Sequence, residues 1–197
     1  MKDLKYVLAI LFVSVIMSGC SNFGKGSASV VGTWKVDMEL AKKQADAQKT
    51  EFKQEFLEGS EAEWVFNEDG TGTEKGVVIA VATIEKGVKY KTTINTLNTF
   101  KWHKEGSRLV VEITDIVMSW NTEAICDNPK ERAQWQKRAQ KMTDEMTKTA
   151  RSAKGKEMAI AECNSNGSYD FEILELNDNR LEVKSVMGVM KGFDRVI

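Results

Sequence analysis

The feature that most constrains the fold of this chain is a period-two alternation of side chains that recurs in successive segments. Trp64 and Phe66 alternate with their neighbours in one segment, and Leu109, Val111 and Ile113 do so in another. Such alternation is typical of β-strands with one buried face. We count eight or nine such segments and no pattern of parallel crossovers. The sequence therefore predicts a mainly β fold in which antiparallel strands close into a barrel.

Two segments carry helical spacing instead. The first lies near 38–58 and follows Asp37, a residue type suited to the N-cap of a helix. The second lies near 129–158, with Asn128 as its N-cap and Pro129 at its first position. Both segments are amphipathic, so we predict two helices inserted among the strands, an α+β arrangement overall.

The charge of the chain is balanced overall but uneven along the sequence. The 197 residues include 28 basic and 29 acidic side chains, a net charge of -1, which argues against a nucleic-acid-binding protein. Residues 129–158, however, carry nine basic and four acidic side chains, a net charge of +5. This helix either contacts anionic lipid headgroups or an acidic partner, or simply presents a solvated face.

The N-terminus has the pattern of a secretory signal. A short basic start is followed by an apolar run from Tyr6 to Met17, which is too short to span a bilayer comfortably. We therefore expect residues 1–19 to be removed as a signal peptide.

The residues that follow this run resemble the lipobox of bacterial lipoproteins. Met17, Ser18 and Gly19 precede Cys20. The resemblance implies that Cys20 is acylated, with palmitate among the acyl chains, and that it becomes the new N-terminus. By the same resemblance, Ser21 after the cysteine implies that the protein is located at the outer membrane of a Gram-negative cell, either on its periplasmic face or at the cell surface. We expect residues 20–29, rich in glycine and serine, to form a flexible tether and residues 30–197 to form one folded domain.

Two further cysteines, Cys126 and Cys163, remain after Cys20. Outside the cytoplasm such a pair is a candidate disulfide, and the alternative is two separate buried thiols. We predict the disulfide.

The folded domain resembles the lipocalin-like proteins of the calycin group. Gly32-Thr33-Trp34 in the opening strand and Arg195 in the last strand match the glycine, tryptophan and arginine that many such barrels carry. The resemblance implies that Arg195 packs over Trp34 and that Gly32, Trp34 and Arg195 close the barrel. The long first helix and the position of the second one differ from ordinary lipocalins.

In such a barrel a small apolar or amphipathic ligand would meet inward-facing side chains. The aromatic candidates are Trp64, Phe66, Phe100, Trp102, Tyr169 and Phe171. The same residues would equally fill a solid core. In that case the protein would be a structural or interaction protein of the envelope that binds a partner or an anionic membrane through its basic helix.

Catalytic chemistry has little support in the sequence. The chain contains one histidine, His103, and lacks a glycine-rich phosphate loop, a nucleophile elbow and paired-cysteine metal spacing. We therefore predict a non-catalytic protein with no metal and no cofactor.

Overall fold

The computed structural model describes residues 29–47, 54–56, 58–165, 169–186 and 188–196. The expected signal peptide, Cys20 and nearly all of the tether lie outside the described residues. No helix in the described ranges is both long enough and apolar enough to cross a membrane.

The described part of the chain contains nine strands and three helices. In chain order they are β1 (Gly32–Val36), α1 (Met38–Ala47), β2 (Gln54–Phe56), β3 (Glu61–Phe66), β4 (Thr71–Glu85), β5 (Val88–Glu105), β6 (Arg108–Cys126), α2 (Pro129–Arg151), α3 (Ala153–Ser165), β7 (Asp170–Leu176), β8 (Arg180–Ser185) and β9 (Met190–Arg195). The prediction of a mainly β fold is confirmed.

The strands form one antiparallel sheet in the order β2-β4-β3-β1-β9-β8-β7-β6-β5. Since β4 also pairs with β5, eight strands form a closed ring, and β2 lies beside β4 next to β3. Ring closure gives each of these strands two neighbours along part of its length, which is how antiparallel sheets avoid exposed edges.

Three strands are much longer than the others. β4, β5 and β6 have 15, 18 and 19 residues, so their far ends project beyond the ring as a ribbon formed by residues 78–85, 88–95 and 119–126. The sequence pattern predicts two strands, Val88–Asn95 and Thr99–Lys104, where the structure has β5 alone. The polar residues between them do not interrupt the strand, because the Asn98 amide donates to Glu74 Oε2 of the adjacent strand β4 at 2.8 Å.

The basic segment forms two helices, so the prediction of one helix near 129–158 is wrong at its C-terminal end. Asn128 does cap α2, accepting a hydrogen bond from the Lys130 N–H at 3.1 Å. At Ser152 the backbone is extended and α2 ends; Ser152 Oγ accepts the Gly155 N–H at 3.0 Å as α3 begins. A Cβ at residue 155 would lie 2.0 Å from the Thr149 carbonyl oxygen, so this tight junction requires glycine.

The first predicted helix, near 38–58, is also shorter than expected. Asp37 caps α1 as predicted, accepting the Leu40 N–H at 2.9 Å, but α1 ends at Ala47. Residues 54–56 form β2, which pairs with Ala80–Ala82, the part of β4 that extends past β3. This open edge of β4 recruits a strand from a segment whose own pattern favours a helix.

Helices α2 and α3 protect the edge of β6 that β7 leaves uncovered. The Gln136 side chain accepts the Ala124 N–H at 2.8 Å and donates to the Thr122 carbonyl at 3.2 Å. The Asn164 side chain does the same for the N–H and carbonyl of Ile113, at 2.9 and 3.0 Å. Each side-chain amide takes the place of a peptide group in a neighbouring strand.

The interior of the ring is built around Trp34, which is fully buried and donates its indole N–H to the Val30 carbonyl at 2.7 Å. The Arg195 guanidinium lies over this ring, with Cζ 4.7 Å from the ring centroid, and donates to the Val31 carbonyl at 2.6 Å. Gly32 has a φ of +136°, and a Cβ there would lie 3.2 Å from Arg195 Nη2. Gly32, Trp34 and Arg195 therefore pack together where β1 pairs with β9.

Candidate functional site

A polar cluster lies inside the ring where three strands run side by side. Trp64 of β3 is the register partner of Glu74 of β4, which in turn is the partner of Asn98 of β5. Trp64 and Asn98 are buried, whereas Glu74 keeps part of its surface exposed.

The Glu74 carboxylate is well supplied with donors. Its Oε2 accepts hydrogen bonds from Asn98 Nδ2 at 2.8 Å and from the Tyr169 hydroxyl at 3.1 Å. Burial, followed by the negative charge of Glu74, raises the pKa of Tyr169 well above its ordinary value of 10.0. Tyr169 therefore stays protonated and acts as a donor to the carboxylate at physiological pH.

Lys191 of β9 contributes the cation of the cluster. Its Nζ lies 4.6 Å from the ring centroid of Trp64, 5.0 Å from that of Tyr169 and 5.3 Å from that of Phe171. Burial lowers the pKa of Lys191, although the nearby Glu74 charge raises it in part. No described residue forms an ion pair or hydrogen bond with this ammonium, so three aromatic faces are its main contacts. We call Trp64, Glu74, Asn98, Tyr169, Phe171 and Lys191 the Lys191 site.

Two buried polar atoms of the Lys191 site have no hydrogen-bond partner within the described part of the chain. They are the indole N–H of Trp64 and the side-chain carbonyl Oδ1 of Asn98. A buried donor or acceptor left unpaired costs about 1–3 kcal/mol, so native proteins usually supply a water or ligand to it. The site therefore offers an unpaired cation, an unpaired donor and an unpaired acceptor beside aromatic surface.

Helix α3 covers this part of the ring with few contacts. Ala159, Ile160 and Cys163 pack against the core, but α3 has no fully buried residue. An element held by so little buried surface opens more easily than the strands beneath it. Burial, and then the charge of Glu74, raises the pKa of the Cys163 thiol, which disfavours the reactive thiolate.

The six aromatic residues singled out from the sequence do not all belong to one site. Trp64, Tyr169 and Phe171 surround Lys191, whereas Phe66 and Phe100 pack against Trp64, with ring centroids 5.8 and 5.4 Å from it.

Trp102 is also separate from the Lys191 site. It packs edge-on against Phe66 and donates its indole N–H to the Thr71 carbonyl at 2.9 Å, which holds the turn between β3 and β4. Phe66, Phe100 and Trp102 therefore pack with one another, apart from Lys191.

Sequence reasoning missed Lys191, Glu74 and Asn98. A usable signal exists for Lys191: Arg195, which the resemblance places over an interior tryptophan, shares its parity on β9 with Phe193 and Lys191. Residues two apart on a strand face the same side, so an interior Arg195 implies an interior Lys191. Glu74 and Asn98 give no comparable signal, because the hydrogen bonds of their side chains are made with residues distant in sequence.

The predicted disulfide is not formed. Cys126 and Cys163 are both free thiols, and they lie in different apolar clusters. Cys126 packs beneath α2 at the tip of the ribbon, where its thiol donates to the Asn128 carbonyl at 3.3 Å. Cys163 packs on the ring core. The structure therefore agrees with the alternative of two separate thiols.

His103 and the acidic residues do not assemble into a metal centre within the described ranges. His103 lies on the exposed side of β5, and its Nε2 is 3.2 Å from Glu105 Oε1. It borders an open surface depression of about 370 Å³ that Trp102 and Lys101 also line.

Comparison of the chain with known proteins finds no matching family model and no similar curated protein.

Proposed function

We propose that this protein is a lipid-anchored lipoprotein of the cell envelope whose lipocalin-like domain binds a small amphipathic molecule with an acidic group. The observation that carries the proposal is the Lys191 ammonium, which faces three aromatic rings and forms no ion pair with a described residue, although the Glu74 carboxylate is near enough to interact with it. The acidic group would pair with Lys191, and the apolar part would lie against aromatic surface.

The charges of the Lys191 site indicate which class of ligand it would bind. Glu74 already accepts hydrogen bonds from Asn98 and Tyr169, so its negative charge is stabilised without Lys191. The lysine is then a cation held in apolar surroundings, where an incoming anion gains more than it would in water. A carboxylate or phosphate suits this position, and the unpaired indole N–H of Trp64 is a further donor nearby.

The packing of the ring interior and of α3 indicates where the apolar part of the ligand would lie. The rings of Trp64, Phe66 and Phe100 touch one another, with centroids 5.4–5.8 Å apart, so this part of the interior is filled. The lightly packed cover is α3, whose Ile160 contacts the core beside the site. We therefore place the ligand between the Lys191 site and α3, not along the whole interior of the ring.

We infer the location of the protein in the cell from its N-terminal residues. A lipid on Cys20 would hold the domain at the outer membrane through the tether, with no spanning segment needed. Incorporation of labelled palmitate tests this attachment: the parent chain should be labelled, and Cys20→Ser should not.

The binding proposal is tested with a fluorescent fatty acid and its methyl ester. The full chain carrying Cys20→Ser is used, so that no acyl group of its own competes for the site. We expect saturable binding of the acid that quenches tryptophan fluorescence and is about tenfold tighter than binding of the ester, because a charge-assisted contact is lost in the ester. An acid that does not bind saturably would overturn the proposal.

A further inference from the structure

The exposed side of α2 carries a straight row of lysines. Lys130, Lys137, Lys141 and Lys148 are spaced seven, four and seven residues apart, which places them on one line along a helix with 3.6 residues per turn. All four are exposed. The buried residues of α2, Ala139, Thr143 and Met146, lie on the opposite side and pack on the ribbon. We call the four lysines the lysine row.

The lysine row forms almost no ion pairs, and Asp144 and Glu145 are the acidic residues beside it on α2. Lys130, Lys137 and Lys148 form no ion pair with any described residue, and Lys141 lies 3.9 Å from Glu145, at the limit of an ion pair. Such exposed pairs contribute little. The charge of the lysine row is therefore displayed outward by the packing of α2, whereas Lys156, the next part of the basic segment, pairs with Asp115 of β6 at 2.9 Å.

We propose that the lysine row docks on a membrane surface of anionic phospholipid headgroups. The row is about 27 Å long at 1.5 Å per residue, so it can lie along a flat surface. Its members are lysines, whose compact charges on flexible stems adapt to headgroups that move, whereas arginine is favoured for fixed bidentate contacts. α2 exposes none of the large apolar side chains that anchor protein–protein interfaces.

This docking goes beyond the ligand site and uses different residues. It rests on the proposed function only for the lipid on Cys20, which would keep the domain close to the bilayer and raise the effective concentration of the row at the surface. The lipid would attach the protein, and the lysine row would set which side of the domain faces the membrane.

The test is a map of lysine acetylation on the full chain, read by mass spectrometry, with the protein on vesicles of phosphatidylcholine alone or with about 30% phosphatidylglycerol. We expect the anionic vesicles to slow acetylation of Lys137, Lys141 and Lys148 by about fivefold and to leave Lys75 and Lys101, exposed on the ring strands, unchanged. Salt at about 0.5 M should remove the protection, because it screens the attraction.

Matched double variants distinguish an effect of the lysine row from an effect of net charge. Lys137→Glu with Lys141→Glu should abolish the protection of Lys148, whereas Lys75→Glu with Lys101→Glu, the same change in net charge, should preserve it. Equal acetylation rates on both vesicles, or equal effects of the two double variants, would overturn the docking. Neither outcome bears on fatty-acid binding, so failure of the docking and failure of the proposed function are distinguishable.

Discussion

Replacement of Trp34 by alanine is expected to lower the free energy of unfolding by about 4 kcal/mol, measured by urea denaturation. The side chain is fully buried, donates to the Val30 carbonyl and supports the Arg195 guanidinium at 4.7 Å. Its removal leaves a cavity where β1 and β9 join, and it leaves Arg195 without its aromatic contact. A loss of this size would make the ring marginally stable.

Trp135→Ala is the matched control, since it makes the same change on the partly buried face of α2. Trp135 packs beside Tyr90 and under Arg138, outside the ring. We expect it to cost about 2 kcal/mol, because less apolar surface returns to water. Equal losses for the two variants would contradict the role assigned to Trp34 in closing the ring.

The second large effect concerns Lys191→Met, which is expected to raise the free energy of unfolding by about 1 kcal/mol while weakening binding of the fatty acid. Methionine has a similar length and fills the aromatic surroundings without carrying a charge into them. A group that destabilises the unliganded fold and is needed for the ligand is typical of a binding site. A variant less stable than the parent would contradict this assignment.

The stability difference between Lys191→Met and the parent should depend on pH. The folded-state pKa of Lys191 is lowered, so the parent bears the full cost of burying the charge at all pH values below that folded-state pKa. As the pH rises through 10.5, the ordinary value, the unfolded chain also loses this proton and the cost disappears. The advantage of the methionine variant should therefore shrink as the pH approaches and passes 10.5 in denaturation experiments.

Much of the strand pattern was predictable, because alternation is a local property. Trp64 with Phe66, and Leu109 with Val111, face inward as their spacing predicts. The caps at Asp37 and Asn128 were predictable for the same reason, since an N-cap is defined by its own side chain and the next residues.

The errors arise where distant residues decide the structure. Part of the segment near 38–58 becomes β2 because β4 offers an open edge, and β5 continues through Asn98 because Glu74 pairs with it. The Lys191 site itself joins residues from β3, β4, β5 and β9, so no single stretch of sequence contains its pattern. Cys126 and Cys163 look alike in the sequence, but the fold places them in separate clusters, Cys126 buried and Cys163 partly buried.

The measurement that tests the account most directly compares the dissociation constants of a fluorescent fatty acid and its methyl ester on the parent and on Lys191→Met, side by side. If the ammonium of Lys191 binds the acidic group, the parent should prefer the acid by about tenfold and the variant should bind acid and ester about equally. A parent without preference, or a Lys191→Met variant that keeps the parent's preference, would contradict it.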